Sequence, residues 1–370
     1  MRFSCTKETL SRTVSTIQRA ISTKPSLPIL SGVHLTAADN VLAARATDYE
    51  LGIKFTALAE IAEPGTVLVS GRHFIDIVRR LPDTLVNIYT AEENRTMVIE
   101  AGQSRFSLLT MPADEYPALP NITFDNPVVI DDKTLLDLIK KTAFSCSTDE
   151  GRPIFTGALF ECLGDVLRMV ATNTHRLAIY ECQIKTPAPE AKLIIPAKAL
   201  NELNRLLAAD AAADVSIGWQ KSYVAFSFGD YYITSRLIEG QFPDWRRVIP
   251  ASFSTTVTLA KQPFLAAVER VSLITRDSEY SPVRFSFKED CVTLTANNPD
   301  VGQATDIAPV ISIDGSPLEI AFNSHYVIDI LRIIESEQFT FSLTTATTAA
   351  VIQPLDDPSY TYVMTPLRTA

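Results

Sequence analysis

The densest group of side chains that could do chemistry is the run Thr172-Asn173-Thr174-His175-Arg176. The imidazole of His175 beside the Arg176 guanidinium could act as a general base, with Asp48 or Asp244 as the acid. Short hydroxyl and amide side chains between two strands could equally form an ordinary turn, or a rim that binds a peptide backbone. The run itself leaves all three interpretations open.

The rest of the sequence favours a protein without catalytic activity. It contains no G-x-G-x-x-G, G-x-x-x-x-G-K-[ST], G-x-S-x-G or H-E-x-x-H motif. The four histidines lie far apart and have no spacing typical of metal ligands; they are His34, His73, His175 and His325. An enzyme usually concentrates its reactive groups in one site of one domain. We therefore expect no catalytic residues, no bound metal and no cofactor.

Two further segments have the composition of binding sites. Residues 241–250 combine aromatic residues, prolines and arginines, which are enriched at binding hot spots. This segment could also be a linker held in place by the packing of Phe242 and Trp245. The C-terminal residues 360–368 are unusually apolar for a chain end. Because free termini usually fray, we expect this one to pair as a strand.

Composition predicts a cytosolic protein. The N-terminal residues 1–7 have no apolar signal segment, and no apolar stretch approaches the roughly 18 residues that span a bilayer. The five cysteines are an odd number without a C-x-x-C pair, which fits neither a disulfide framework nor a zinc site. The expected location is the cytoplasm, and no membrane is expected among the partners.

The sequence repeats itself three times. A shift of 125 residues aligns Ala46-Thr47-Asp48 with Ala171-Thr172-Asn173 and then with Ala296-Asn297-Asn298. Pro28-Ile29-Leu30-Ser31-Gly32 aligns in the same way with Pro153-Ile154-Phe155-Thr156-Gly157. A repeat of this length is the size of a whole domain. We predict three similar domains over residues 1–121, 122–250 and 251–370, whose boundaries fall in proline-rich segments.

Each copy is predicted to hold two helices embedded in β-strands. Apolar periodicity and N-terminal signals indicate helices near residues 6–20, 71–81, 131–144, 197–207, 261–272 and 323–334. Short alternating runs elsewhere, such as 166–170 and 223–228, indicate strands, with turn signals at 38–40 and 163–165. The predicted fold class is α+β, with two helices on one face of antiparallel sheet in each domain.

Charge is unevenly distributed between these helices and the rest of the chain. The protein has a formal net charge of −10, which by itself argues against a nucleic-acid partner. The six helix windows nevertheless contain 14 basic and 8 acidic residues. If the helices shared one surface, that surface would be basic on an acidic body, although solvated helix faces commonly carry Lys and Arg.

The repeat and the three segments together resemble the bacterial DNA polymerase III beta subunits, the sliding clamps. The resemblance covers the whole chain and rests on the order and spacing of several short stretches: residues 1–3, 27–30, 102–108, 172–177, 240–244, 295–299 and the C-terminus. It implies a head-to-tail homodimer, a ring of six domains whose helices line a hole around duplex DNA. A basic lumen would attract phosphates without reading bases.

The resemblance also implies a pocket between the second and third domains for short peptide motifs. Its expected partners are the polymerase III alpha subunit, the clamp loader, other polymerases and repair proteins. Carried onto this sequence, the pocket residues are Phe155, Thr172, Thr174, His175, Arg176, Leu177, Pro243, Arg247, Val248, Asn323, Tyr326, Val363, Met364, Pro366, Leu367 and Arg368.

Two other surfaces follow from the same resemblance. The residues expected to face DNA are Lys24, Arg79, Arg80, Arg152, Lys198 and Arg205. The residues expected at the dimer interface are His73, Ile77, Leu81, Arg105, Phe106 and Leu108 of the first domain and Leu273, Ile274 and Asp300 of the third. The sequence departs from the family pattern at Asn173 and Thr174, where an Asp and a small residue are usual, and at Thr365, where Met is common.

Overall fold

The computed structural model describes residues 1–22, 27–91, 93, 95–209, 214–278 and 280–368. These residues form two compact units. The first contains residues 1–132 and 198–237, and the second contains residues 133–197 and 238–370. The strands of the second sequence copy are therefore shared between two units. No helix in the described ranges is both long and apolar enough to cross a membrane.

The six predicted helices are all present within the described ranges, with bounds within a few residues of those expected. They are α1 Lys7–Ile17, α2 Gly71–Arg80, α3 Asp132–Thr142, α4 Ala197–Ala209, α5 Lys261–Ser272 and α6 Ser324–Ile333. Thr6 begins α1 because its hydroxyl accepts the Thr9 N–H at 3.1 Å, which satisfies one of the free donors of the first turn. Residues 18–20, predicted as helix, form a 3-10 turn.

The strands of the first unit form one antiparallel sheet. They are β1 Arg2–Thr6, β2 Gly32–Ala38, β3 Val41–Thr47, β4 Leu51–Leu58, β5 Glu60–Glu63, β6 Gly65–Ser70, β7 Leu85–Ala91, β8 Thr96–Ala101, β9 Ser104–Met111, β10 Val128–Asp131, β13 Asp214–Gln220, β14 Tyr223–Phe228 and β15 Tyr231–Arg236. Their order is β10-β13-β14-β15-β4-β3-β2-β6-β9-β8-β7-β1-β5. The pairing of β15 with β4 joins the second sequence copy to the first.

The strands of the second unit also form one antiparallel sheet, which combines strands of the second and third copies. Its strands are β11 Gly157–Thr172, β12 Arg176–Pro196, β16 Thr255–Ala260, β17 Pro282–Phe287, β18 Cys291–Asn298, β19 Gly302–Gly315, β20 Leu318–Asn323, β21 Gln338–Leu343, β22 Ala350–Pro354 and β23 Tyr360–Met364. Their order is β11-β12-β23-β22-β21-β16-β19-β18-β17-β20. The pairing of β12 with β23 joins the second copy to the third, and the C-terminal segment is a paired strand as expected.

The predicted turns have different outcomes. Asp39 and Asn40 both have positive φ, 50° and 62°, and connect β2 to β3 in a tight hairpin. The turn expected at residues 163–165 is wrong: β11 continues through it with a shift in register around Gly164, whose φ is 72°. A glycine in the left-handed region allows an irregularity within a strand without ending the strand.

The core of the third copy is built from aromatic side chains on helix and sheet. Phe264 of α5 is fully buried and lies 5.6 Å, ring centroid to ring centroid, from Phe339 of β21. Phe341 contacts Phe287 at 5.2 Å. Burial of a Phe side chain contributes about 1.5–3 kcal/mol, and paired rings add about 0.5–1.5 kcal/mol. This packing holds α5 and β17 against β21 within the second unit.

Candidate functional site

The polar run at residues 172–176 is a tight turn between β11 and β12. The Asn173 carboxamide oxygen accepts the backbone N–H groups of His175 and Arg176, both at 3.0 Å. The Thr172 hydroxyl donates to the Arg176 carbonyl at 2.6 Å and accepts the Thr174 N–H at 3.0 Å. Thr174 has φ +76°, a left-handed conformation that a residue with a branched side chain rarely adopts. The side chains that suggested chemistry are thus used largely to shape the turn.

His175 is exposed and stands at the tip of this turn. Its carbonyl accepts the Thr365 N–H at 2.9 Å and the Thr365 hydroxyl at 3.0 Å. No carboxylate among the described residues hydrogen-bonds to its imidazole. Asp244, one of the acids considered for it, pairs with Arg247 at 3.1 Å. This geometry is that of a rim residue, because a general base needs an orienting partner.

Arg176 points away from solvent. Its guanidinium donates to the Asp329 carboxylate and the Phe144 carbonyl, both at 2.5 Å, and stacks on the Tyr326 ring at 4.6 Å. Burial alone would lower the pKa of Arg176, but Tyr362 and Asp329 more than offset this, so the pKa is raised. The Asn173 amide also donates to the Tyr326 hydroxyl at 3.2 Å. The turn is therefore fastened to α6.

The segment 241–250 is anchored through its aromatic residues. Trp245 is 8% exposed and belongs to an apolar cluster with Leu177 and Val363. Phe242 packs against this cluster and lies 6.3 Å from the Phe155 ring. The linker interpretation is confirmed in that the segment is tethered by these aromatic side chains, and the binding interpretation stays a prediction.

The turn, the linker and the C-terminal strand together enclose an apolar cavity of about 190 Å³ in the second unit. Its walls contain these expected residues: Phe155, Thr172, Thr174, His175, Arg176, Leu177, Pro243, Val248 and Val363. They also contain Phe242, Asp244, Trp245, Ala349 and Thr365, which the expected set omitted. Aromatic composition marked Phe242 and Trp245 as binding candidates, whereas nothing local marks Ala349. Apolar walls with a polar rim suit the side chains of an extended peptide.

The remaining expected pocket residues lie outside these walls and serve other contacts. Asn323 caps α6 by accepting the His325 N–H at 2.9 Å, and Met364 is buried opposite Arg176. Tyr326 contacts the turn, and Arg247 is an exposed partner of Asp244. Pro366, Leu367 and Arg368 follow β23, with the Leu367 N–H bonded to the Ala321 carbonyl at 2.8 Å.

Of the described residues expected to face DNA, four are exposed and Arg205 is half-buried, and each has a partner within the chain. Arg79 donates to Gln18 at 2.6 Å, and Arg80 to the Asp76 carbonyl at 3.0 Å. Lys198 pairs with Asp48, Arg205 with Glu202, and Arg152 with Asp149. Lys24 lies outside the described residues. The pair of Arg152 with Asp149 is exposed on both sides, and such a pair is weak enough for a phosphate to replace.

Of the nine residues expected at the dimer interface, three lie on strand β9, two on helix α2, and four after a helix or in a turn. Arg105, Phe106 and Leu108 are on β9, where residues 104–109 pair with β8 alone among the described strands. Leu273 is 65% exposed, Ile274 packs against the core of its own unit, and Asp300 is exposed before β19. His73 and Ile77 lie on helix α2, whereas Leu81 is only 2% exposed and belongs to the core.

Fold and site define a protein of three similar α+β domains, joined sheet edge to sheet edge, with an apolar pocket where the second copy meets the third. Family models for the N-terminal, central and C-terminal domains of the DNA polymerase III beta subunit match residues 1–120, 129–244 and 246–368. The chain therefore belongs to the DNA polymerase III beta subunit family and has its three-domain clamp fold.

Individual relatives agree with this assignment over their full length. The beta sliding clamp of Staphylococcus epidermidis is 31% identical over 377 aligned positions, with all of both chains covered. The crystal structure of the Bacillus subtilis DNA polymerase sliding clamp matches with a TM-score of 0.96 and 29% identity over all of both chains. A Pseudomonas aeruginosa sliding clamp bound to griselimycin matches with a TM-score of 0.94 and 30% identity, also over both complete chains.

Proposed function

We propose that the chain is a non-enzymatic sliding clamp of the bacterial cytoplasm. Two copies close head to tail around duplex DNA, and the pocket tethers the replicative polymerase and other partners that carry short peptide motifs. Polymerase III alpha subunit, clamp loader and repair proteins are the proposed partners. Membership of the sliding clamp family supports this role, and a topological tether needs no catalytic residue.

The observation that carries the ring is the way each unit joins two sequence copies. The aligned triplets of the sequence repeat begin with an alanine: Ala46, Ala171 and Ala296. On the neighbouring strand these alanines pair with Ile53, Ala178 and Ala304, respectively. Each copy also contains a second matched pair, namely Ile99 with Phe106, Phe226 with Ile233 and Ile352 with Tyr362. In the two joints within the chain, Ile53 pairs with Ile233 and Ala178 with Tyr362.

One pair of edges has no such joint within the described residues: β9 of the first copy and the start of β19 of the third. In both joints, the residue opposite the repeated alanine of one copy faces the second member of the other matched pair in the next copy. The same rule at the remaining edges would place Ala304 of one chain opposite Phe106 of another. Exposed apolar side chains flank this part of β19, with Ile307 60% and Val301 62% exposed. A heterologous contact closes into a ring when its repeated rotation completes a full turn, and otherwise gives an open filament. Two chains with three copies each complete the ring.

Cross-linking tests the ring and its register. Phe106→Cys combined with Ala304→Cys should give a disulfide-linked species of twice the 40.7 kDa chain mass, because facing strand residues have suitable Cα separations. Phe106→Cys with Gln303→Cys, whose side chain points to the other face, is the control and should link poorly. A native mass of 40.7 kDa for the unmodified protein at micromolar concentration would contradict the ring.

Peptide binding tests the pocket separately. Val248 is 52% exposed on the pocket wall, so Val248→Glu should remove apolar surface and weaken binding without unfolding the protein. Leu355→Glu, an equally exposed position away from the pocket, is the matched control. We expect an increase in Kd of about tenfold or more for an apolar peptide with the first variant, measured by fluorescence anisotropy. Equal affinity of both variants would refute the pocket assignment.

A further inference from the structure

A second cavity adjoins the partner pocket along the same linker. It measures about 580 Å³ and is lined by residues of β11 and β12 and by the linker segment 240–247. The two cavities share Phe242, Pro243, Asp244 and Trp245 as walls. A chain lying in the pocket and continuing past this four-residue wall would enter the second cavity.

The second cavity has a different electrostatic character from the pocket. At its base lies the Glu161 carboxylate, whose side chain is 2% exposed and pairs with Arg168 at 3.0 Å. Arg168 also binds Glu181 at 2.5 Å, so its guanidinium bridges two carboxylates. Two further cations approach the Glu161 carboxylate: Lys192 at 3.3 Å and Arg246 at 4.0 Å. The side chains of both Lys192 and Arg246 remain more than half exposed.

The cavity therefore has a surplus of hydrogen-bond donors. A lysine ammonium has three donors and an arginine guanidinium five. Arg168 is shared by the carboxylates of Glu161 and Glu181. Lys192 and Arg246 bring this group to three cations against two carboxylates, while Arg247 pairs with Asp244 at 3.1 Å. The side chains of Lys192 and Arg246 are more than half exposed, so their remaining N–H donors are accessible to a ligand. Donors in excess favour a ligand that carries acceptors and negative charge.

Trp245 adds an independent observation. Its indole is 8% exposed, stacks with Arg246 at 4.2 Å and Arg168 at 5.2 Å, and lines both cavities. Its Nε1–H is buried and has no hydrogen-bond partner among the described residues. A buried donor without an acceptor costs about 1–3 kcal/mol. Because Nε1 is covered, a ligand oxygen removes that cost only where binding shifts the side chains that cover it.

We propose that the second cavity binds an acidic segment of the partner peptide, next to the apolar motif that occupies the pocket. This inference rests on the proposed peptide-binding function. The carboxylates would contact Lys192 and Arg246, with an acceptor available to the Trp245 indole. Specificity among partners then depends on the residues that flank the apolar motif as well as on the motif itself.

Peptide titrations with the full-length protein test the proposal. The probe is acetyl-Ala-Leu-Ala-Leu-Phe-amide, compared with versions extended by two glutamates through one glycine, at either the N-terminal or the C-terminal end. Glutamine extensions are the uncharged controls. One glutamate extension should lower the Kd about three- to tenfold relative to its glutamine control, as expected for two partly exposed charge pairs. This gain should shrink as salt rises from about 50 to about 500 mM.

Variants assign the gain to the cavity. Lys192→Gln combined with Arg246→Gln should reduce the gain below about twofold and leave the affinity for the unextended probe unchanged, which shows that the protein is folded. Lys54→Gln, at an exposed position of the first unit, should keep the full gain. An equal gain at both ends, or a gain that survives the double variant, would overturn the proposal.

The tryptophan signals supply a second readout. The protein has two tryptophans, so an ¹⁵N-labelled sample gives two indole N–H signals, and Trp219→Phe assigns them. The Trp245 signal should move downfield with the glutamate-extended probe more than with the glutamine-extended one. Binding of the unextended probe without any glutamate gain refutes the second cavity alone. Failure of all the probes to bind refutes both this proposal and the pocket.

Discussion

The Arg176 guanidinium lies 2.5 Å from the Asp329 carboxylate, joining the turn at the pocket rim to helix α6. Arg176 is 10% exposed and Asp329 42%. Because the Arg176 end of the pair is buried, removal of Asp329 leaves the positive charge of Arg176 uncompensated where water cannot easily reach. The pair thus holds the pocket turn against α6, while the imidazole of His175 remains exposed at the pocket rim.

Asp329→Ala should destabilise the protein by about 1–2 kcal/mol, less than for a fully buried pair because solvent screens the exposed carboxylate. It should also weaken peptide binding through the loosened turn. Urea unfolding followed by circular dichroism measures the first effect. The control is Asp356→Ala at an exposed position, for which we expect a change within about 0.5 kcal/mol. Equal stability of both variants would show that the pair is not structural.

Thr174→Gly should stabilise the pocket turn, by up to about 1 kcal/mol, because glycine adopts the observed φ of +76° without steric cost. Thr174→Ala keeps the Cβ atom and should give no such gain. Thermal unfolding of the two variants separates relief of backbone strain from removal of the hydroxyl. A lower melting temperature for the glycine variant than for the alanine variant would contradict this explanation.

His34 should make the stability of the first unit depend on pH. Burial, with a contribution from Arg45, lowers the pKa of His34 from 6.5 to about 4. Below about pH 6.5 the unfolded state binds a proton that the folded state does not, so stability falls as pH decreases towards 4, by up to about 3 kcal/mol.

The comparison with His34→Phe isolates this effect from the titration of carboxylates. The variant removes the titrating imidazole, whose buried Nδ1 has no hydrogen-bond partner among the described residues. It keeps an aromatic ring to stack on Tyr116, whose ring centroid lies 5.6 Å from that of His34. Its free energy of unfolding should fall less between about pH 6.5 and about pH 4.5. Parallel pH profiles for the two proteins would exclude His34 as the source.

Arg79→Gln combined with Arg80→Gln should weaken binding to duplex DNA at low salt. Both side chains are exposed on α2, and removal of one lysine or arginine from a phosphate makes the slope of log K against log salt shallower by about 0.9. Anisotropy with a labelled duplex of about 20 base pairs, repeated with several unrelated sequences, measures both slope and sequence independence. Lys54→Gln serves as the exposed control. An unchanged slope would remove α2 from the DNA-facing surface.

The positions of the helices, the strand at the C-terminus and the threefold repeat could all be predicted from the sequence. The helix and strand signals depend on residues close together in the chain, such as the Thr6 hydroxyl that begins α1, and the repeat is visible by aligning the sequence on itself. The sequence offered the tethering of the linker by Phe242 and Trp245 as one of two interpretations, because aromatic side chains are enriched both in cores and at binding sites. The turn at residues 163–165 was not, because a glycine can bend a strand without ending it.

Tertiary structure decided which edges join and what each polar side chain does. Nothing near Arg176 in sequence indicates that its partner is Asp329, or that Ala349 reaches the pocket wall. Two of the joints between copies exist as strand pairs within the chain, β4 with β15 and β12 with β23. Sequence periodicity reports only which face of an element is apolar, whereas strand pairing and ion pairing depend on groups brought together by packing of the whole domain.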